Sequence, residues 1–393
     1  MGLPTYKFDI DAGGSNISLD LTAQYLAEAG HDVTVLVYDI GKTINPPSKR
    51  SYDCETLELH YRTKADGLWV LLRSTRELDR SFDIFHVFDP GLLPLFGLYR
   101  ARGGKTPVVG RLNNYGVFCS NESRMDEECF HNCTTTAKFT HSNDPAVWNT
   151  LKVPKYLFDT HAVPALMGEV DRLLPISPAV GEVYAEIGVK QDHMTVLPNF
   201  FEKEFDGQMC ESSLDGSPSL LYVGRLTREK GVDTAIDALR YLCPGARLHI
   251  VGEGEQADEL ATLVRQRELS EQVTFHGWVP HGAVAGYYAS ADFFIHPARW
   301  PEPFGRTVLE AMQLGCVPVV SDVGGPVYVV DDSELVFPAD SPKDLAISTQ
   351  TIYADQAVYE KKQHAMSQRL DRFAPGRVID DLQTIYQDAT AAP

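Results

Sequence analysis

The chain has no uninterrupted apolar run approaching the roughly 18 residues that a membrane-crossing helix needs. Its opening residues, "MGLPTYKFDIDAGG", have neither the basic start nor the apolar centre of a signal peptide, so a cytoplasmic location is expected. Basic residues are scarce: 35 Lys plus Arg stand against 54 Asp plus Glu, a formal charge of -19. This argues against nucleic-acid binding through an overall field, and any anionic ligand must be held by a local basic site. Cysteines number seven, an odd count, and without a secretory signal a disulfide framework is disfavoured. Three of them cluster in "CSNESRMDEECFHNC" as Cys119, Cys129 and Cys133, with His131 or His141 as a potential fourth ligand. The nine-residue first gap does not match the compact paired knuckle of a zinc finger, and no metal site is expected.

What is present is a repeated alternation of strand and helix. A length of 393 residues exceeds one ordinary core and points to two domains. Runs such as "HDVTVLVYD", "FDIFHVFDP" and "TPVVGRL" in the first half, and "PSLLYVGRL", "ARLHIVGEGE" and "ADFFIHPA" in the second, read as buried parallel strands. Amphipathic helices such as "NISLDLTAQYLAEAG" and "GVDTAIDALRYL" separate them. The expected architecture is α/β, two Rossmann-like domains in series, 1–199 and 200–375. The boundary falls in the polar, turn-rich "LPNFFEKEFDGQMCESSLDGSPS". A last amphipathic segment, about 376–393, could dock on either domain and is assigned to the first.

Ligands of open parallel sheets bind at the carboxyl ends of the strands, where helix N-termini converge. Three motifs fall there. "VGRLTREKG" puts Arg225 just after a strand and Lys230 five residues on, two cations suited to a diphosphate. "RWPEPFGRTVLEAMQLG" puts Glu302 in a Pro-rich loop, opens a helix at Gly305 and carries Glu310 in an early turn, so that the two carboxylates can flank one cavity. "DAGGSN" places Gly13 and Gly14 before the first helix, where backbone can approach a phosphate or sugar, and Gly254 in "VGEGE" ends another strand. Each motif alone is also compatible with ordinary surface charges or turn glycines. Together, cations for phosphates and carboxylates for hydroxyls fit a sugar joined to a nucleoside diphosphate.

The segments "YVGRLTREKGVDTAIDAL", "LHIVGEGE", "VTFHGWVP", "ADFFIHPARWPEPFGRTVLEAMQLGCVPVVSDVGG" and "ELVFPADSPKDLA", in this order, resemble the donor-binding domain of retaining glycosyltransferases of family 4. The likeness covers about residues 218 to 350, with a looser one in "GGSNISLDLTAQYLAEAGHDVTVL" and "FDIFHVFDP". The resemblance implies the GT-B fold, two Rossmann-like domains facing across a cleft. It implies catalytic roles for Arg225 and Lys230, on the donor diphosphate, and for Glu302, on the donor sugar. Glu310, the second glutamate of the E-x7-E signature, would hold the ribose. Phe304, Gly305, Arg306 and Thr307 would offer backbone amides, Gly277 to Val279 would contact the base, and Gly14 would approach the diphosphate from the opposite domain. The implied reaction needs no metal and no cofactor: the donor is the sugar nucleotide, and the acceptor a glycan or lipid-linked glycan.

Two departures stand out. The family has an apolar first strand before "DAGG", and only "MGLPTYKFDI" precedes it here, so the first strand of the first domain is expected to be missing or cut short. Where many members carry a histidine after the strand "TPVVGRL", this chain has "NNYG", whose Asn113 and Asn114 could bind a sugar but could not act as a base. An epimerase on the same fold and a non-catalytic sugar-nucleotide subunit are the competing readings. Peripheral contact with the inner face of the cell membrane would rest on "DPGLLPLFGLYRAR", which reads more readily as a buried helix. The acid excess is shared with proteins of salt-loving organisms. If it is such an adaptation, activity and solubility should rise from low to molar salt; a flat profile would argue for an ordinary acidic protein.

Overall fold

The computed structural model describes residues 1–6, 8–9, 14–39, 44–47, 49–58, 72–73, 75–79, 81–118, 134–140, 150, 152–201 and 214–391. The Cys119, Cys129, Cys133, His131 and His141 cluster and Gly13 lie outside them. The chain forms two compact units, Met1–Phe200 with Pro375–Pro393, and Phe201–Ala374.

The first unit contains β1 (Gly2–Thr5), β2 (Phe8–Asp9), β3 (Thr34–Asp39), β4 (Ile44–Asn45), β5 (Asp53–Glu58), β6 (Phe85–Val87), β7 (Val108–Leu112) and β8 (Arg172–Pro175). Six of these make one parallel sheet in the order β5-β3-β1-β6-β7-β8, while β2 and β4 pair separately. The inner strands are apolar without alternation because helices cover both faces; Val35, Leu36, Val37 and Tyr38 of β3 are all fully buried. Contrary to the expectation of a missing first strand, Gly2–Thr5 occupies the middle of the sheet, paired with β3 on one side and β6 on the other. Four residues suffice because Leu3 is fully buried and both neighbouring strands supply hydrogen-bond partners.

The helix Pro375–Ala391 returns to this first unit. Val378, Ile379, Leu382, Tyr386 and Ala389 enter the core that holds Leu3, Val35 and Val37. Tyr386 Oη lies 2.6 Å from His86 Nδ1. Beneath it Arg111 is 3% exposed and donates from Nη2 to Pro198 O and Asn199 Oδ1, both at 3.0 Å. Burial pulls this guanidinium down to about 10.

The segment "DPGLLPLFGLYRAR" is core rather than a lipid-facing surface. In its helix Leu93–Ala101, Leu93, Phe96 and Tyr99 are fully buried. Gly97 lets that helix close on Val163–Met167, for a Cβ there would stand 1.9 Å from Leu166 O. No helix among the described residues is long and apolar enough to cross a membrane.

The second unit contains β9 (Ser219–Val223), β10 (Arg247–Val251), β11 (Val273–Gly277), β12 (Phe293–His296), β13 (Val317–Ser321) and β14 (Val336–Phe337). Their order, β11-β10-β9-β12-β13-β14, repeats that of the first sheet, and all pairings are parallel. The order therefore switches direction between β9 and β12, which is where such sheets open a crevice for ligands.

Gly97→Ala should destabilise the first unit by roughly 2–3 kcal/mol through overpacking against backbone that cannot yield. The urea midpoint reads this, and an unchanged midpoint would contradict the close helix contact.

Candidate functional site

At that switch point two loops meet. After β9 the chain passes Gly224 and Arg225 and makes a 3-10 turn, Arg228–Lys230. Gly231 ends the turn with φ 65°, in the left-handed region, and a Cβ there would meet Pro297 O at 2.0 Å. After β12, which ends in His296, the chain runs through Pro297 to Glu302 and reaches Gly305, whose φ of 90° caps the helix Arg306–Gln313 without a side-chain acceptor. Thr307, in the first turn of that helix, lines the cavity between the two loops.

Tyr222, Gly224, Arg225, Lys230, His296, Glu302 and Thr307 line a cavity of about 110 Å³ between these loops. Within it Lys230 Nζ donates to Glu302 Oε2 at 2.6 Å, and His296 Nε2 lies 3.0 Å from the same oxygen. The three side chains are 16%, 6% and 19% exposed for Lys230, His296 and Glu302 respectively. Burial opposes ionisation of Glu302, but Lys230 and then His296 outweigh it and hold the carboxyl well below the usual carboxylate range. Burial and the neighbouring Glu302 push the Tyr222 phenol far up, so its hydroxyl stays neutral and donates to Arg225 O at 2.8 Å. Arg225 is exposed, and among the described residues its guanidinium makes no hydrogen bond or ion pair. An exposed guanidinium, a held ammonium and the helix start at Thr307 around one cavity can bind an anion with several oxygens.

Arg299 sets the position of Lys230. Its backbone N–H donates to Glu229 O at 2.8 Å and its Nη1 to Arg228 O at 3.1 Å. The guanidinium is bidentate on Asp233, at 2.8 and 2.7 Å, and also pairs with Asp340. The Trp300 ring centroid lies 5.9 Å from Lys230 Nζ. On the other side, Gly325 N–H donates to Glu302 O at 2.7 Å, and a Cβ on Gly324 would stand 2.6 Å from that carbonyl. Both charged partners are thus fixed through their backbones.

The residues singled out from sequence divide into three groups. Arg225, Lys230, Glu302 and Thr307 come together in the cavity, with Gly305 and Arg306 beside it at the helix start. Glu310 does not line it: Tyr288 Oη donates to its Oε2 at 3.1 Å and His281 Nε2 lies 3.5 Å from its Oε1. The two glutamates have different side-chain partners, Lys230 and His296 for Glu302 and Tyr288 and His281 for Glu310. Phe304 is 2% exposed, its ring edge-on to Phe373, so only its backbone can face a ligand.

Gly254 lies against the loop after β9, where a Cβ would meet Leu226 O at 2.3 Å. Gly277, with φ 68°, closes β11 and accepts from Gly252 N–H at 2.7 Å; Val279 is half-buried and Trp278 between them is 68% exposed. None of these three lines the cavity. In the first unit Gly14 opens the helix Gly14–Glu28. The Asn113 amide donates to Ser15 Oγ at 2.9 Å and Phe88 O at 3.0 Å and accepts from Asn114, whose own oxygen accepts from Gly116 N–H. These side chains brace the loop after β7. His296 and Arg299 went unnoticed in the sequence; the signal was a histidine closing the buried run "FFIHPA".

Two doubly wound parallel sheets, the second carrying a cation–carboxylate cavity at its switch point, define a GT-B fold. The family described as Glycosyltransferase Family 4 matches residues 12–205, and that described as Glycosyl transferases group 1 matches residues 211–372. The chain belongs to the family-4 type of GT-B glycosyltransferases. Among curated relatives, glycogen synthase of Mycobacterium tuberculosis is 32% identical over 218 residues, 53% of this chain and 52% of that protein. The chain spans about half the length of the curated relatives it matches. Among solved structures, HepE of Anabaena in complex with UDP superposes with a TM-score of 0.74 at 15% identity, covering 99% of this chain and 100% of that one. Sucrose-phosphate synthase of Thermosynechococcus elongatus superposes with a TM-score of 0.71 at 20% identity, covering 100% and 99%.

The depressed Glu302 carboxyl gives a pH test. The Lys230–Glu302 contribution is full above the ordinary glutamate range and is lost as pH falls through the lower folded-state value. Wild type should therefore exceed Glu302→Gln in stability near neutral pH, by a margin that shrinks below about pH 4. Urea midpoints across that range measure it, and a pH-independent margin would refute the ion pair.

Proposed function

We propose that the protein is a retaining, metal-independent glycosyltransferase acting in the cytoplasm. It moves a hexosyl group from a nucleoside-diphosphate sugar to a glycan or lipid-linked glycan acceptor. The observation that carries this reading is the buried Lys230–Glu302–His296 cluster, with Arg225 at its mouth and the Arg306–Gln313 helix start beside it. Arg225, Lys230 and the helix start at Thr307 suit the diphosphate, and Glu302, an acceptor only when ionised, suits sugar hydroxyls. The acceptor hydroxyl attacks the anomeric carbon from the face that the diphosphate leaves. The bond to the phosphate oxygen breaks as the new glycosidic bond forms, and the hydroxyl proton passes to the departing phosphate. Charge on the leaving group is met by fixed cations and N–H dipoles, so catalysis rests on positioning and electrostatics.

The HepE complex with UDP supports a nucleotide ligand for a fold of this kind. No membrane contact is proposed through Leu92–Arg102, whose apolar side chains are core. The test is incubation with UDP-, GDP- and ADP-sugars, with and without glycan acceptors and with EDTA. Transfer should release nucleoside diphosphate, survive EDTA and give a product of unchanged anomeric configuration by NMR. A rearranged sugar nucleotide would indicate an epimerase, and stabilisation without turnover a binding subunit. Glu302→Gln and Lys230→Ala should each lower kcat about 10²–10³-fold in folded protein.

A further inference from the structure

Three groups converge on one oxygen of the cavity. Glu302 Oε2 accepts from Lys230 Nζ at 2.6 Å and has His296 Nε2 at 3.0 Å, so Nε2 carries a proton and donates. The other ring nitrogen, Nδ1, is buried and meets no hydrogen-bond partner among the described residues. One ammonium and one carboxylate already balance, and the imidazole is a donor with one site for a further proton.

The charged and titratable groups facing the imidazole come from every side of the cavity. Tyr222 comes from β9, Arg225 and Lys230 from the loop after it, and Glu302 from the loop after β12. Tyr222 stays neutral, and among the described residues Glu302 is the sole carboxylate lining the cavity. A diphosphate brings two negative charges to this space. Lys230 is a compact charge on a flexible stem with three donors, and phosphate oxygens compete for it directly. If the ammonium turns to the phosphates, Glu302 is left buried beside a dianion with only the Nε2–H of His296 as its partner, a costly arrangement.

We propose that Lys230 passes from Glu302 to the diphosphate when a sugar nucleotide binds, and that His296 takes up one proton from solvent to replace it as the counter-ion of Glu302. This rests on the sugar-nucleotide reading of the cavity. No covalent bond changes: the buffer gives one proton to Nδ1, and the side chains around the ligand gain one positive charge. His296 is then a positioning residue that keeps Glu302 ionised and oriented after its lysine has left.

Titration calorimetry of the whole chain at pH 7.0, in buffers of different ionisation enthalpy, tests this. The probes are UDP-glucose, ADP-glucose and GDP-mannose, whose phosphates are diesterified and so do not titrate near neutrality. Wild type should take up about 0.5–1 proton per bound ligand. His296→Gln keeps an N–H donor for Glu302 but cannot hold the second proton; its uptake should fall to about zero and its Kd should rise by more than about tenfold, because Glu302 then has no counter-ion in the complex. Should that variant fail to fold, wild-type uptake between pH 5 and 9 must rise and fall as one imidazole does, and an uptake flat across that range overturns the assignment. Binding with the same enthalpy in every buffer overturns the proton exchange and leaves the sugar-nucleotide reading standing. Absence of binding by all three probes overturns both.

Discussion

A parallel sheet obliges all its strands to end at one edge, and the functional part of this protein follows from that constraint. In the second unit the order β11-β10-β9-β12-β13-β14 sends the connections from β9 and β12 in opposite directions. The loops that leave these two neighbouring strands separate above the sheet, and the cavity lies between them. Lys230 arrives from one side and Glu302 from the other, 72 residues apart in sequence and 2.6 Å apart in space.

Such a pair is stable only because its surroundings are rigid. Removing two charges from water is costly, and their attraction compensates only with good geometry and further hydrogen bonds. Arg299 supplies that geometry on the lysine side by holding Glu229 and Arg228 carbonyls and Asp233. Gly324 and Gly325 supply it on the glutamate side by packing backbone against backbone. In a chain carrying a formal charge of -19, a local concentration of cations at a strand edge is an investment in one kind of ligand.

The two units use buried polar groups differently. In the first, Arg111, His86 and Tyr386 are tied to Pro198, Asn199 and the returning Pro375–Ala391 helix, which makes them part of how the unit is closed. In the second, Lys230, His296 and Glu302 meet at a cavity. The Asn113–Asn114 pair belongs with the first kind, since its amides are committed to Ser15, Phe88 and Gly116.

The sequence by itself determined the strand-helix alternation, the two-unit division, and the positions of "GRLTREKG" and "PEPFG" just after strands, because apolar periodicity and Gly or Pro punctuation are local properties. It also marked the C-terminal helix as amphipathic, while the face it covers depended on where Leu3 and Val35 lie. Gly2–Thr5 was illegible as a strand, since four residues show no period and become a strand only through their neighbours in the sheet. The separation of Glu302 from Glu310, the capture of Glu310 by Tyr288, and the convergence of His296 and Lys230 on one carboxylate oxygen were decided by tertiary structure alone. Side-chain direction at a loop, and the partner found there, depend on distant segments brought close by the sheet, and no local pattern records that distance.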